Sequence, residues 1–133
     1  MRYMLDTDTC IYIIKKKPNE VIERFKKYDI EEICISSITY SELMYGVRKS
    51  QQSVKNYLSL ILFVNNIEIM DYDSKAGECY GDIKTELEIK GTPIGPLDTL
   101  IAAHAKSLGY TVITNNTREY KRINGLKVEN WVN

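Results

Sequence analysis

The sequence is poor in the residues that several common chemistries need. It has one histidine, His104, and three cysteines, Cys10, Cys34 and Cys79, with no C-x-x-C spacing. No His/Cys set for a zinc site can be drawn from them. Nothing matches G-x-S-x-G, so a serine hydrolase has no support either. The longest uncharged run lies between Lys55 and Glu68. That is well short of the roughly 20 apolar residues that a membrane-spanning helix requires. The opening MRYMLDTDTC carries two aspartates within its first eight residues, which breaks the apolar core of a secretory signal. An odd number of cysteines set in apolar stretches reads as small packing residues in a reducing compartment. The expectation is a cytoplasmic protein without membrane contact.

Net charge is lacking too. Eighteen basic and eighteen acidic residues cancel, so the molecule has no global cationic surface for nucleic acid. The basic groups come in clusters: Lys15-Lys16-Lys17, Arg24 with Lys26-Lys27, Arg48-Lys49, and Arg118 with Lys121-Arg122. Singly these read as solvated helix faces, and any nucleic-acid contact has to be local. With three prolines, seven glycines and no repeat, the chain shows neither a linker nor a disordered tail. A chain of 133 residues with 44% apolar content supports one core. Residues 1–133 are therefore expected to form a single domain.

Alternating elements can be read along the chain. Residues 2–5 (RYML) form a short apolar run ending at Asp6, as a buried strand would. Thr7 or Asp8 can then cap a helix through Cys10 to Ile14. Pro18 breaks the pattern, and a second helix is expected over 19–28, with Val21, Ile22 and Phe25 on one face. Ile33 to Ile35 reads as a strand, and Ser36 or Ser37 can cap a helix from Ile38 to about Lys49. A helix over 53–65, a strand over 67–70 and a long helix from Asp73 to Gly91 follow. Pro96 suits the first turn of a helix reaching Gly109. A strand over 110–114, a short helical piece at Glu119 and Tyr120, and a last strand over 127–129 complete the pattern. Such alternation predicts an α/β fold with a mostly parallel sheet covered on both sides.

In an open parallel sheet, sites form beyond the carboxyl ends of the strands. Asp6 ends the first strand, Asn115 and Asn116 follow the fourth, and Asp98 lies in the first turn of the helix leading into it. Glu42 shares a helix face with Ile38 and Tyr45, which predicts partial burial. Each acid has an ordinary reading as well: a helix cap for Asp6, a dipole partner for Asp98, a solvated residue for Glu42. If they converge they make an oxygen site for Mg²⁺, which keeps part of its water and activates water for attack on a phosphate. His104, in an Ala-rich helix with no visible partner, stays outside this set.

Four blocks, LDTD at 5–8, SSITYSELMYG at 36–46, GTPIGPLDTLIAAHAKSLG at 91–109 and VITNNTREY at 112–120, occur in an order that resembles PIN-domain toxins of the VapC type. The likeness extends to INGLKVENW at 123–131. The resemblance implies a PIN-like three-layer fold and a metal-dependent endoribonuclease using Mg²⁺, or Mn²⁺. Asp6, Glu42 and Asp98 would be its metal-binding residues. It implies tRNA as substrate, with initiator tRNA first, and a VapB-type antitoxin as partner. The toxin would be a homodimer within a toxin–antitoxin hetero-oligomer that meets promoter DNA only through the antitoxin. Where many PIN domains place a fourth aspartate, this chain has Asn116, with Glu119 three residues on. Both are candidates for the fourth position, and a second ion would then bind only with RNA present.

Two other readings stand beside this one. Asp6-Thr7-Asp8 after an apolar strand resembles the D-x-D pair of haloacid-dehalogenase phosphatases, although Cys10 stands where that pattern wants Thr or Val. A PIN fold that has lost activity and serves as a binding module rests on Asn116 alone. Finally, the runs Cys10–Ile14 and Leu60–Val64 are apolar all the way round a helical turn. This predicts either an exposed docking face for a partner or mutual burial of the two helices.

Overall fold

A computed structural model describes residues 2–132. The chain runs β1 (Tyr3–Leu5), α1 (Thr7–Lys15), α2 (Asn19–Lys26), β2 (Ile33–Ser36), α3 (Ser37–Lys49), α4 (Ser53–Val64), β3 (Glu68–Met70), α5 (Ser74–Ile89), α6 (Pro96–Leu108), β4 (Thr111–Ile113), α7 (Thr117–Tyr120) and β5 (Lys127–Glu129). The strands form one five-stranded sheet in the order β3-β2-β1-β4-β5. Every pairing is parallel, with Leu5 in register with Ile35 on one side and Ile113 on the other.

Side-chain alternation along these short strands divides the core into two layers. Leu5, Ile33, Ile35 and Ile113 face one way, onto Cys10, Ile13, Leu43, Val47 and Leu60 of α1, α3 and α4. Met4, Cys34 and Val112 face the other way, onto Ile83 and Leu87 of α5 and the run Ile101–Ala105 of α6. Burying one such aliphatic side chain contributes roughly 1.5–3 kcal/mol, so packing from both sides, more than strand length, holds the sheet. This is the expected three-layer α/β arrangement.

Helix ends follow local chemistry. Asp73 caps α5 by accepting the Ala76 N–H, and Ser36 caps α3 by accepting that of Ile38. Pro96 opens α6, and Gly109 closes it in the left-handed region at φ 73°. Three details differ from the sequence reading. The cap of α1 is Asp6, whose Oδ1 accepts the Thr9 N–H at 2.9 Å; Thr7 and Asp8 already lie inside the helix. Asp6 is still extended, and an N-cap acceptor must sit in that conformation two or three residues before the N–H it receives. Helix α2 stops at Lys26, before Tyr28, whose ring packs on Tyr3 and Trp131 at centroid distances of 4.6 and 5.1 Å. A 3-10 turn at Ile30–Glu32, absent from the sequence reading, leads into β2.

The topology fixes where a site can lie. From β1 the chain moves outward through β2 to β3, then returns across the sheet to β4 and β5 on the opposite side. Connections diverge at the carboxyl ends of β1 and β4, which opens a crevice there.

Candidate active site

Asp6 sits at the floor of this crevice and is buried, with 4% of its surface exposed. Its backbone N–H still pairs with the Ile113 carbonyl, so the carboxylate is anchored where β1 meets β4. Burial raises its pKa to about 6, against the Thr114 hydroxyl and the Thr9 N–H and hydroxyl, which favour the charged form; nearby Asp8 adds to the rise.

Glu42 projects from α3 and is half-buried, although Tyr45, placed on the same face in the sequence reading, is 66% exposed; its Oε1 accepts the Thr7 hydroxyl at 2.6 Å. Asp98, half-buried in the first turn of α6, accepts the Tyr120 hydroxyl on Oδ1 at 3.2 Å. Burial raises its pKa, and Glu119 and Asp8 add to the rise, while hydrogen bonds from Tyr120 and Asn116 oppose it. Asn116 is the residue before α7, and its N–H donates to Thr114 Oγ1 at 2.9 Å. Its side chain bonds Asp98, and Glu119 acts on Asp98 through its charge. The ring of Tyr120 is fully buried, and its phenol is pushed far above the ordinary value by burial, then by Asp6 and Asp98, with Glu42 also contributing. Asp98 thus bonds the buried Tyr120 hydroxyl directly, and Asp6 and Glu42 act on it through their charge.

This cluster has the chemistry of a hard-cation site. Its donors are oxygens, and among the described residues none of Asp6, Glu42, Asp98 and Glu119 takes part in a salt bridge. Two of the acids are held above their normal pKa by burial that no cation offsets. Among the described residues no three acids, histidines or cysteines stand close enough to grip one bare ion together. An ion held here would have to complete its shell with water, since the acids alone do not enclose it.

The sequence reading missed the hydroxyls. Thr7, Thr9, Thr114 and Tyr120 each hold an acid or its neighbour, and all lie within the blocks LDTD–TC and VITNNTREY. Their alternation with Asp and Asn was the available signal. His104 is not unpartnered: its Nδ1 lies 2.7 Å from Ser36 Oγ, and it is 2% exposed. The ring also bonds the Asp71 backbone, and Ser36 Oγ caps α3. Burial lowers the His104 pKa. The pair ties α6 to α3 inside the core and has no access to a substrate.

One groove leaves the site. Glu42 stands at its head, Ile11, Leu43, Val47 and Leu60 line it, and Lys15, Lys17 and Lys55 rim a space of ≈ 680 Å³ between α1, α3 and α4. Of the two apolar runs, Cys10–Ile14 is buried or half-buried throughout, and Leu60 is core at 2% exposed. The outward residues of α4 are Val54, Leu58 and Leu62, at 74%, 57% and 76% exposed. Among the described residues no helix is long and apolar enough to cross a membrane.

Comparison with known proteins accords with this geometry. The PIN domain family model matches residues 3–126. The chain is 47% identical over 131 residues to the tRNA(fMet)-specific endonuclease VapC of Salmonella typhimurium, covering 98% of each. It is 42% identical over 132 residues to Ribonuclease VapC2 of Haemophilus influenzae, covering 99% of each. Among solved structures, DNA-bound VapBC from Salmonella typhimurium matches with a TM-score of 0.92 at 46% identity, over 98% of each chain. VapBC2 from Rickettsia felis, bound to a fragment of its promoter, matches with a TM-score of 0.91 at 43% identity, over 98% of this chain and 99% of that one. The chain belongs to the PIN-domain family, in its VapC ribonuclease branch. Nucleases of this fold generally depend on a divalent metal ion. The phosphatase reading is not favoured: the would-be second acid of its pair, Asp8, is exposed on α1.

Proposed function

We propose that this ribonuclease is the toxin of a toxin–antitoxin module and cuts tRNA, initiator tRNA first, with Mg²⁺ held by Asp6, Glu42 and Asp98. The observations behind the reading are Asp6 buried at the end of β1 by the sheet's switch point, Glu42 held by Thr7 of α1, and Asp98 held by Tyr120 of α7. Mn²⁺ is a workable substitute, since it accepts the same oxygen donors. A divalent ion bound there supplies charge neutralisation for the scissile phosphate and a more acidic water. The protein's own groups do the rest. Thr7 fixes one oxygen of Glu42 and Tyr120 one oxygen of Asp98. Asn116 or Glu119 supplies the fourth oxygen. Arg118 and Lys121, exposed on and beside α7, take phosphates flanking the cut.

The partner is a VapB-type antitoxin, a reading supported by the VapBC complexes among the solved relatives. It lies in the groove below Glu42, and the toxin works in the cytoplasm as a homodimer within the hetero-oligomer, reaching promoter DNA through the antitoxin. The test is cleavage of purified initiator tRNA by the free toxin with Mg²⁺. Cleavage should stop with chelator and return with added metal. Undiminished cleavage in chelator overturns the metal assignment, and intact tRNA beside another cleaved RNA overturns the substrate.

A further inference from the structure

Tyr120 lies fully inside the apolar layer formed with Ile101, Ala102, Val112 and Ile123. For packing alone, phenylalanine would serve as well and would spare the cost of desolvating a hydroxyl. A buried phenol must spend its O–H on an inside partner. Here that partner is the Asp98 carboxylate, on the facing helix. The backbone of Tyr120 is fastened as well: its N–H meets the Asn116 carbonyl, its carbonyl accepts from Ile123, and Arg122 donates to the Pro93 carbonyl before α6. Tyr120 thus joins two arms of the site, the start of α6 with Asp98 and the turn with Asn116 and Glu119.

Resting on the metal-dependent ribonuclease reading above, we infer that the Tyr120 hydroxyl is a positioning group that sets the Asp98 carboxylate, and with it the spacing between Asp98, Asn116 and Glu119 required to receive the ion. It touches neither RNA nor the scissile phosphate. Its effect passes through Asp98, so it changes how the ion is held and how fast the bond is cut, and leaves RNA affinity alone.

The test is Tyr120→Phe, which keeps the ring and removes the bond. Mn²⁺ binding to the free protein, read by electron paramagnetic resonance without RNA, should weaken about ten- to a hundredfold, the size expected for losing one hydrogen bond to a charged group. With tRNA, kcat should fall at least as much while KM stays put. Mn²⁺ affinity and kcat both within twofold of the parent overturn the inference, even if thermal stability drops, because the hydroxyl is then only structural. A parent protein that shows no metal-dependent cleavage removes the ribonuclease reading itself. A parent that cleaves beside an equally active variant removes only this inference. If Tyr120→Phe does not fold, the parent labelled with [¹³Cζ]tyrosine carries the test. One of its ten tyrosine resonances should move with Mg²⁺ along the metal-binding curve, and none moving overturns the inference.

Discussion

The Thr7 hydroxyl donates to Glu42 Oε1 at 2.6 Å and so ties the first residue of α1 to the middle of α3 across the crevice. Thr7→Val keeps the shape and removes the bond, which frees Glu42 to turn toward solvent. RNA cleavage at limiting Mg²⁺ should fall about tenfold and recover in part at high Mg²⁺, in line with one lost charge-assisted hydrogen bond. Thr7→Ser should behave like the parent. A Thr7→Val protein that matches the parent at every Mg²⁺ concentration takes this contact out of the mechanism.

Asp6 makes the metal-free protein pH-dependent. Its pKa is about 6 in the fold against 3.8 for the free group, so burial penalises the charged form. The stability linked to this group is complete below pH 3.8 and is lost as pH rises through about 6. Asp6→Asn removes that loss, keeps an acceptor for the Thr9 N–H, and deletes the ligand charge. Without metal at pH 8 it should be more stable than the parent by ~1–3 kcal/mol, and the gain should vanish near pH 4. It should also cut no RNA. Urea denaturation at the two pH values decides the first point, and equal stability at pH 8 refutes it.

Asn116 bonds Asp98 and Glu119 acts on it through its charge, and substitutions separate their roles. Asn116→Asp adds a charged oxygen and should lower the Mg²⁺ needed for half-maximal cleavage several-fold. Glu119→Gln should raise it if Glu119 is the fourth ligand and leave it unchanged if Asn116 is. An Asn116→Asp requirement equal to or above the parent's shows that this side chain does not face the ion.

The groove below Glu42 should hold the antitoxin. Ile11 lines it half-buried, and Leu62 stands exposed on α4, one of the helices that form it. Ile11→Asp and Leu62→Asp should each weaken the complex by about tenfold or more in a calorimetric titration, as loss of an apolar anchor does. Neither should alter cleavage by the free toxin. Parental affinity in both variants places the interface elsewhere. Leu60→Asp is not a useful probe, because its side chain is core and the charge would unfold the layer.

Periodicity and caps made most of the fold legible in the sequence. Helix α6 shows why: Pro96 at its start, Gly109 at its end and small residues between leave one reading. The acids were legible because each sits at an element boundary or on a half-buried face. Less visible were relationships between distant residues. Nothing near His104 in sequence announces Ser36, and only the parallel crossover brings α6 over the end of β2. The cap of α1 went to Asp6, one residue before the two expected, because the helix starts at Thr7 directly after the strand and Asp6 is the last extended residue. Tyr120 read as a helical residue of no account because a hydroxyl's partner cannot be inferred from local spacing. Leu60 shows the limit of an apolar run: it marks a helix with two apolar sides and does not say which residue turns inward.

The strand order has a consequence for synthesis. The central strand, β1, is made first, its neighbour β4 comes more than a hundred residues later, and the hydroxyl between the acids belongs to α7 beyond it. Such long-range pairing closes late in folding, and a growing chain cannot pair β1 with β4 before the ribosome has released both. A partly made toxin therefore carries Asp6 and Glu42 but no assembled crevice.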